Sequence, residues 1–212
     1  MSRRKHSQVL RTYQIQLEAV YRTRAPDIRR FAIDSQQVSD LLPAARPTDE
    51  WVLVREDQGE LQVAVHVSDH LLDNLASAGS PAAGLDADFQ AFCATVEGVS
   101  HYLLLMERAS RGEPLSLLEL EAQAEVDKFV CAHLNAPHRS QEWRSRLFRR
   151  AALADGLSAD EYDRYREAGR LAEAWCKHLD GLPHQAAILT VQRRFWRESG
   201  AQRMDQLRRR AA

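Results

Sequence analysis

Two glutamates and a histidine in the middle of the sequence, Glu97, His101 and Glu125, could hold a metal ion or act as an acid–base group. Glu97 and His101 are four residues apart, so on a helix their side chains lie on one face and can reach a single ion. A facing helix could supply Glu125, with Glu119 or Glu121 as a further carboxylate. The di-iron sites of helical bundles are built from residues of these types on facing helices.

The position of Glu125 is unusual, because it falls on the apolar arc of its predicted helix, between Leu118 and Phe129. A buried carboxylate without a partner is costly, so Glu125 needs one. The motif itself is weak: di-iron bundles repeat Glu-x-x-His and zinc proteases use His-Glu-x-x-His, whereas this sequence has Glu-x-x-x-His once. The structural alternative is a Glu97–His101 pair within one helix and Glu125 bound to an arginine of another.

A second group of candidates is a set of arginines in the C-terminal third that could contact nucleic-acid phosphates. Trp143, Phe148 and Trp196 lie among them and could stack on bases, although each falls on an apolar stripe typical of a core. No helix-turn-helix, zinc-finger or RNA-recognition signature accompanies them. The arginines are Arg144, Arg146, Arg149, Arg150, Arg193, Arg194, Arg197, Arg208, Arg209 and Arg210.

The sequence lacks the motifs of several common enzyme classes. Cys93, Cys131 and Cys176 are far apart and form no Cys-x-x-Cys pair, which indicates buried free thiols in a reducing compartment rather than a nucleophile or a zinc site. Neither GxGxxG nor GxxxxGK occurs, which argues against the nucleotide-binding folds that use those loops. We therefore predict no cofactor.

Composition and charge point to a globular protein. The chain has 212 residues, 44% of them hydrophobic, and a formal net charge of −1. Acids dominate from Asp49 to Asp127, and arginine dominates from Arg139 onward. No apolar run approaches the ~20 residues that a membrane span needs. The basic start, Met1–His6, is not followed by an apolar segment, so we predict a cytoplasmic protein without a membrane partner.

The candidate ligands belong to two long helices predicted at Asp86–Arg111 and Leu117–Leu134, which share their apolar faces. The short segment Gly112–Pro114 separates them, and Ser116 to Glu119 matches a capping box at the start of the second. Gly98 lies inside the first helix, where it costs ~1 kcal/mol relative to alanine. Close approach of another chain segment would explain its presence.

A β-hairpin is predicted at about 51–67, because Leu61, Val63, Val65 and Val67 alternate with polar or small residues and Gly59 can form a tight turn. A further short strand is predicted at 30–33. The predicted fold is mainly α, a helical bundle of about five helices with a small N-terminal α+β portion. We divide it into residues 1–80, which contain the hairpin, and a bundle at 85–212, separated by a linker at 76–84. Residues 203–212 are expected to fray.

Three functions agree with these patterns. The first is a non-enzymatic cytoplasmic interaction or adaptor protein, which binds a protein partner or self-associates through its oppositely charged regions. The second is a nucleic-acid-associated protein that uses its arginine-rich C-terminal helices. The third is a metal-binding protein or acid–base enzyme centred on Glu97, His101 and Glu125, and the sequence favours this enzymatic interpretation least.

Overall fold

The computed structural model describes residues 2–44, 48–149 and 156–212, and the following elements lie within them. Two short 3-10 turns occur at Ile28–Arg30 and Pro137–Arg139. The helices and strands are α1 (Ser2–Tyr21), α2 (Ser35–Leu41), β1 (Glu50–Asp57), β2 (Glu60–Val67), α3 (Asp69–Ala78), α4 (Pro81–Ala87), α5 (Phe89–Arg111), α6 (Leu117–Asn135), α7 (Ser140–Phe148), α8 (Ala159–Asp180), α9 (Gln185–Arg197) and α10 (Gly200–Ala211).

The prediction of a mainly helical fold with one hairpin is confirmed, but the described residues form ten α-helices rather than about five. One reason is the segment 76–84, which ends α3 and begins α4 instead of forming a linker. The side chain of Ser80 accepts a hydrogen bond from the backbone N–H of Ala83, and Pro81 occupies the first turn. Both features favour the start of a helix, and they outweigh the small residues that follow.

The hairpin is confirmed, and its strands extend further than the alternating pattern indicates. β1 and β2 pair antiparallel along their full length. Gln58 and Gly59 form the two-residue turn with positive φ angles of 50° and 81°, the combination that a type I′ turn requires. The strand predicted at 30–33 is reduced to a single parallel bridge between Ala32 and Val65, because residues 28–30 form a 3-10 turn.

One face of the hairpin packs on α5. Val65 and Val67 on this face are buried, and the same face continues outward through Val63 to Val54 and Leu61. The base of the hairpin is therefore part of the core, whereas its tip extends beyond it. Val54 is 50% exposed and Leu61 is 38% exposed.

Helices α5 and α6 form the centre of the core, as predicted. Phe92 and Phe129 are completely buried, and Leu103 is 2% exposed. α6 also packs against α7 and α8, and α1 packs against α3, α5 and α9. The same cluster of buried apolar side chains extends from Leu17 in α1 to Leu207 in α10. Residues from the N-terminal and C-terminal parts of the chain thus share one interior.

Helix α10 is fixed to this interior by a buried ionic cluster. Glu119 accepts hydrogen bonds from Arg108, with an Nη2–Oε1 distance of 2.8 Å, and from Arg203. Met204 and Leu207 are buried beside them. The expectation that residues 203–212 fray is therefore wrong, because Arg203 itself serves as an anchor that apolar periodicity does not reveal.

The same cluster explains why the capping box predicted at Ser116 is half formed. The Ser116 side chain accepts from the backbone N–H of Glu119, as expected. The Glu119 carboxylate, however, turns toward Arg108 and Arg203 and not back to the start of α6. A buried ion pair has replaced the second half of a local capping motif.

A further buried polar group connects α1, α5 and α6. Asp127 accepts hydrogen bonds from Ser100 (Oγ–Oδ2 2.6 Å), from Gln123 (Nε2–Oδ1 3.0 Å) and from the hydroxyl of Tyr21. Burial raises the pKa of Asp127 from 3.8 to about 6, although the three hydrogen bonds and the charge of Arg203 act in the opposite direction. Desolvation of the carboxylate thus outweighs the donors that surround it.

Candidate metal centre

Among the described residues, one group of side chains could hold a metal ion. It consists of Glu97, His101 and Glu121. One ligand atom from each lies within 4.8 Å of the others. Glu97 and His101 lie on one face of α5, as their spacing predicts, and Glu121 comes from α6. The short connection 112–116 folds α6 back along α5 and so brings the facing residues together.

Glu50, the first residue of β1, is a third carboxylate beside this group. Its Oε1 lies 3.4 Å from Nδ1 of His101, and the Nε2 of His101 lies 3.6 Å from Oε2 of Glu121. The imidazole therefore lies between two carboxylates. His101 is 5% exposed, and its Nε2 has no hydrogen-bond partner among the described residues, since 3.6 Å is too long for a hydrogen bond.

Gly98 allows Glu50 to reach this position. A Cβ atom at residue 98 would lie 3.2 Å from Oε2 of Glu50 and 3.4 Å from Cγ2 of Val67. Both distances are at or below the close end of normal van der Waals contact. The glycine inside α5 thus accommodates the hairpin, which agrees with the prediction that another segment approaches it closely.

Glu125 does not lie in the metal site where the sequence analysis predicted it. Its Oε1 lies 2.5 Å from Nζ of Lys128, and that Nζ also lies 3.1 Å from Oε2 of Glu97. Glu125 does not belong to the group of ligand atoms around His101. Its partner is a lysine of its own helix and not the arginine of another helix that the structural alternative proposed. Lys128 thus connects Glu125 to Glu97, which does belong to that group.

The charges in this cluster do not balance. Glu50, Glu97, Glu121 and Glu125 contribute four carboxylates, whereas the permanent cations are Lys128 and Arg164, whose Nε lies 3.8 Å from Oε1 of Glu121. Protonation of His101 would add a third positive charge. With all four carboxylates ionised, negative charge is in excess in either state of His101, and a bound cation would offset it.

The pKa shifts reflect this environment. For His101, burial favours the neutral ring, but Glu50 and Glu121 outweigh it and raise the pKa well above its usual value. For Glu97, burial is likewise outweighed, here by Lys128 and His101, and the pKa is lowered. Burial raises the pKa of Glu50 and of Glu125. The proton distribution of the cluster is therefore set by competition between desolvation and opposite charges.

Comparisons of the chain with protein-family models, with curated proteins and with solved structures found no match. The site is therefore interpreted from its own geometry. In the part of the chain that the structure describes, no helix combines the length and the apolar character needed to cross a membrane.

Glu50 and Lys128 were not among the residues predicted for this site, although each leaves a signal in the sequence. Glu50 is in phase with Val52 and Val54, so it belongs to the strand face that turns toward the helices. Lys128 is one of three lysines in a chain that otherwise uses arginine. Glu121, named only as a possible further ligand, lies one helical turn before Glu125 and shares its face.

Most of the candidate nucleic-acid-binding arginines have partners within the protein. Arg193 donates from Nε to the carbonyl oxygen of Val20 at the end of α1. Arg146 and Arg210 lie over aromatic rings, those of Phe89 and Trp175. Four others contact carboxylates: Arg144 with Asp180, Arg149 with Glu173, Arg194 with Glu198 and Arg209 with Asp205.

The remaining members of this set are Arg150, Arg197 and Arg208. Arg150 lies outside the described residues. Arg197 and Arg208 are exposed and form no ion pair with any described residue. Two of the aromatic residues that could have stacked on bases, Trp143 and Trp196, are buried. The structure thus does not bring the arginines and aromatics together as a stacking surface.

The prediction of buried free thiols is confirmed for Cys131 and Cys176. Cys93 is also free, but it is only partly buried. Burial raises the pKa of Cys93 to about 12 and also raises the pKa of Cys131 and of Cys176. These thiols therefore stay protonated at neutral pH, which disfavours nucleophilic chemistry.

Proposed function

We propose that this protein binds a divalent transition-metal ion through Glu97, His101 and Glu121. Glu50 contacts the other ring nitrogen, Nδ1 of His101, and would orient the imidazole. The observation that carries the proposal is the convergence of the first three side chains, whose ligand atoms lie within 4.8 Å of one another. The buried Nε2 of His101 without a hydrogen-bond partner supplies a nitrogen ligand. One imidazole with carboxylates suits zinc, manganese or ferrous iron better than magnesium or calcium, which prefer oxygen ligands alone.

Metal analysis tests this proposal directly. The full chain is expressed in medium supplemented with zinc and manganese, and its metal content is measured by mass spectrometry. We expect one ion per chain, and its loss in His101→Ala. His133→Ala is the matched control, because His133 is also buried but binds the hydroxyl of Ser140 instead of a carboxylate. Circular dichroism verifies that both variants are folded.

The competing interpretation is a closed ionic network in which a protonated His101 replaces the metal. It predicts no retained metal and no saturable binding when zinc, manganese or ferrous iron is titrated into the purified protein. It also predicts that His101→Ala lowers stability without changing metal content. Either of the first two results would overturn the metal proposal.

A protein-interaction role is the second candidate, supported by the exposed hairpin tip. Val54 and Leu61 continue the face that is buried at the base of the hairpin, and both are exposed. A two-stranded ribbon is marginally stable alone, so coverage of its apolar tip would be favourable. Glu56, Asp57 and Glu60 surround the tip and outnumber Arg55, which pairs with Asp57. Arginines are exposed on α9 and α10. These opposite charges support self-association in which the hairpin of one copy meets the arginines of another.

Sedimentation analysis over a range of protein concentrations tests this second role. We expect association that weakens at high salt and is lost in Val54→Lys/Leu61→Lys. Ile15→Lys is the control, because Ile15 is an exposed apolar residue of α1, away from the hairpin. A wild-type chain that remains monomeric at every concentration and salt level would contradict self-association.

Nucleic-acid association remains the third proposal, and the geometry favours it less because most of its arginines have partners within the protein. Salt-dependent retention on RNA or DNA, lost when Arg208, Arg209 and Arg210 are replaced by alanine, would support it. Absence of retention even at low salt would contradict it.

A further inference from the structure

A groove of about 690 Å³ lies between the N-terminal half of α1 and the junction of α3 with α4. It shares no residue with the metal centre. Its apolar lining comes from α1 (Val9 and Tyr13), from α3 (Leu75 and Ala76) and from Pro81 at the start of α4. The volume falls within the range of small-molecule sites, roughly 300–1,000 Å³.

The charged residues that line this groove all carry the same sign. They are Arg4, Lys5 and Arg29, and no aspartate or glutamate lines it. Arg4 and Lys5 form no ion pair with any described residue. In a chain with a net charge of −1, a groove lined by three cations and no acid is a local electrostatic feature that favours an anion.

Arg29 is the fixed cation of the three. Its Nη2 lies 2.6 Å from Oδ2 of Asp27, and its Nη1 lies 3.3 Å from Oε1 of Gln8. Because Asp27 already neutralises much of the Arg29 charge, an anionic group in the groove would depend mainly on Arg4 and Lys5. These are the residues whose substitution tests the site.

A neighbouring groove provides a comparison within the same protein. It has a volume of about 380 Å³, and its arginines are Arg3, Arg4 and Arg29. Two carboxylates, Asp34 and Asp69, also line it, and Asp34 pairs with Arg3. Anion binding is therefore expected to be stronger in the larger groove than in the smaller one.

We propose that the larger groove binds a small amphipathic anion, with an apolar chain along Val9, Leu75 and Ala76 and a terminal carboxylate at Arg4 and Lys5. The lining matches both ends of such a molecule: apolar side chains between the helices, and cations without carboxylate partners at the first turn of α1. This site is independent of the proposed metal centre.

Titration calorimetry with decanoate as the probe tests the proposal, and decanol serves as the neutral match. Decanoate is kept below its micelle concentration so that single molecules bind. We expect saturable binding of decanoate and at least about tenfold weaker binding of decanol, because decanol lacks the charge. Amide shifts in nitrogen-15 NMR spectra should be largest around Val9, Thr12 and Ala76.

Two sets of variants separate this site from general attraction of anions. Arg4→Glu/Lys5→Glu should weaken decanoate binding at least about tenfold. Arg197→Glu/Arg208→Glu makes the same change in net charge at exposed arginines elsewhere and should leave the affinity unchanged. Ala76→Trp should abolish binding by filling the groove, and the partly exposed position of Ala76 makes the substitution compatible with folding.

Three results would overturn the proposal. One is equal affinity for decanoate and decanol, which indicates an unselective apolar site. Another is an equal loss of affinity in both charge-reversal variants. The third is sedimentation with phosphatidylglycerol vesicles together with no binding of free decanoate, which would identify the basic groove as a membrane contact.

Discussion

Glu121 and Glu125 show how two identical residues on one helix receive different roles. They are separated by one turn of α6, yet Glu121 contacts His101 and Arg164, whereas Glu125 contacts Lys128. Lys128 lies 2.5 Å from the carboxylate of Glu125. Of the two glutamates, Glu121 is the one whose carboxylate converges with Glu97 and His101.

The first prediction follows from this difference. Glu121→Gln removes a charged ligand and should lower metal affinity by at least about tenfold, or ~1.4 kcal/mol. Glu125→Gln on the same helix should change the affinity much less, because Glu125 is not among the converging ligands. Titration calorimetry with zinc measures both. A larger loss of zinc affinity in Glu125→Gln than in Glu121→Gln would show that Glu125, and not Glu121, binds the metal.

The second prediction concerns Gly98, and Gly169 in α8 provides its control. Alanine stabilises a helix interior relative to glycine by ~1 kcal/mol. A Cβ at Gly169 would meet nothing within 4 Å, so Gly169→Ala should gain most of this amount. Gly98→Ala should raise the free energy of unfolding by less than Gly169→Ala does. It should also weaken metal binding, because its Cβ would press against Glu50. Urea unfolding measures the difference, and equal gains would show that the hairpin does not need this glycine.

The third prediction concerns the pH dependence of stability at Asp127. Its pKa is raised from 3.8 to about 6 in the folded protein, so the folded state holds this proton more tightly than the unfolded state. The protonated carboxyl group therefore stabilises the folded state below about pH 4, and this stabilisation is lost as the pH rises through 6. A shift of about 2 units corresponds to ~3 kcal/mol.

Asp127→Asn mimics the protonated carboxyl group and tests this sign. The variant should gain stability relative to the wild type as the pH rises from about 4 to about 7, measured by urea unfolding at several pH values. The difference should then stay constant at higher pH. Parallel curves for the two proteins would mean that Asp127 is ionised throughout.

At the scale of elements, α10 illustrates how a polar residue can hold a helix in place. Arg203 is 1% exposed and contacts Glu119 and Gln123 of α6, and its guanidinium lies 5.5 Å from the ring centroid of Trp196. Met204 and Leu207 pack beside it. The attachment of α10 thus combines a small apolar surface with a buried charge.

The fourth prediction compares two arginines of α10. Arg203→Ala leaves Glu119 with Arg108 alone and should lower the unfolding free energy by about 3 kcal/mol. Arg209→Ala removes an arginine whose side chain is 68% exposed and should change it by less than about 0.5 kcal/mol. Chemical denaturation measures both. A small effect of Arg203→Ala would show that α10 contributes little to the stability of the interior.

At the scale of the whole molecule, the candidate metal centre joins the hairpin to the helical body. Its ligands come from α5 and α6, and Glu50 of β1 contacts the histidine ligand. An ion bound here would oppose separation of α5 from α6, and the contact of Glu50 with His101 would connect the site to the hairpin. Metal binding should therefore stabilise the folded protein as a unit.

The fifth prediction is a metal-dependent increase in thermal stability. A zinc concentration one hundred times the dissociation constant should stabilise the folded state by ~2.7 kcal/mol. Differential scanning calorimetry should show a single transition that moves to higher temperature in the wild type and not in His101→Ala. An equal shift in both proteins would place the bound zinc at a different site.

The sequence by itself determined the local elements of this protein. Apolar periodicity predicted α5 and α6, and alternation predicted the hairpin. A serine cap marked the start of α6 at Ser116, whose side chain accepts from the backbone N–H of Glu119. These features depend on interactions between residues a few positions apart, so local physical chemistry is sufficient to predict them. The same periodicity correctly placed Glu97 and His101 on one face.

The tertiary structure alone decided which residues meet at the site. Periodicity assigns a residue to a face of its helix, but the rotation and sliding of α6 against α5 determine whether Glu121 or Glu125 lies opposite His101. Glu50 and Arg203 reach their partners from distant parts of the chain, and that depends on how all the elements pack. Packing between distant segments decides which charged side chains can be buried, because a carboxylate in the interior is stable only beside an opposite charge or a hydrogen-bond donor.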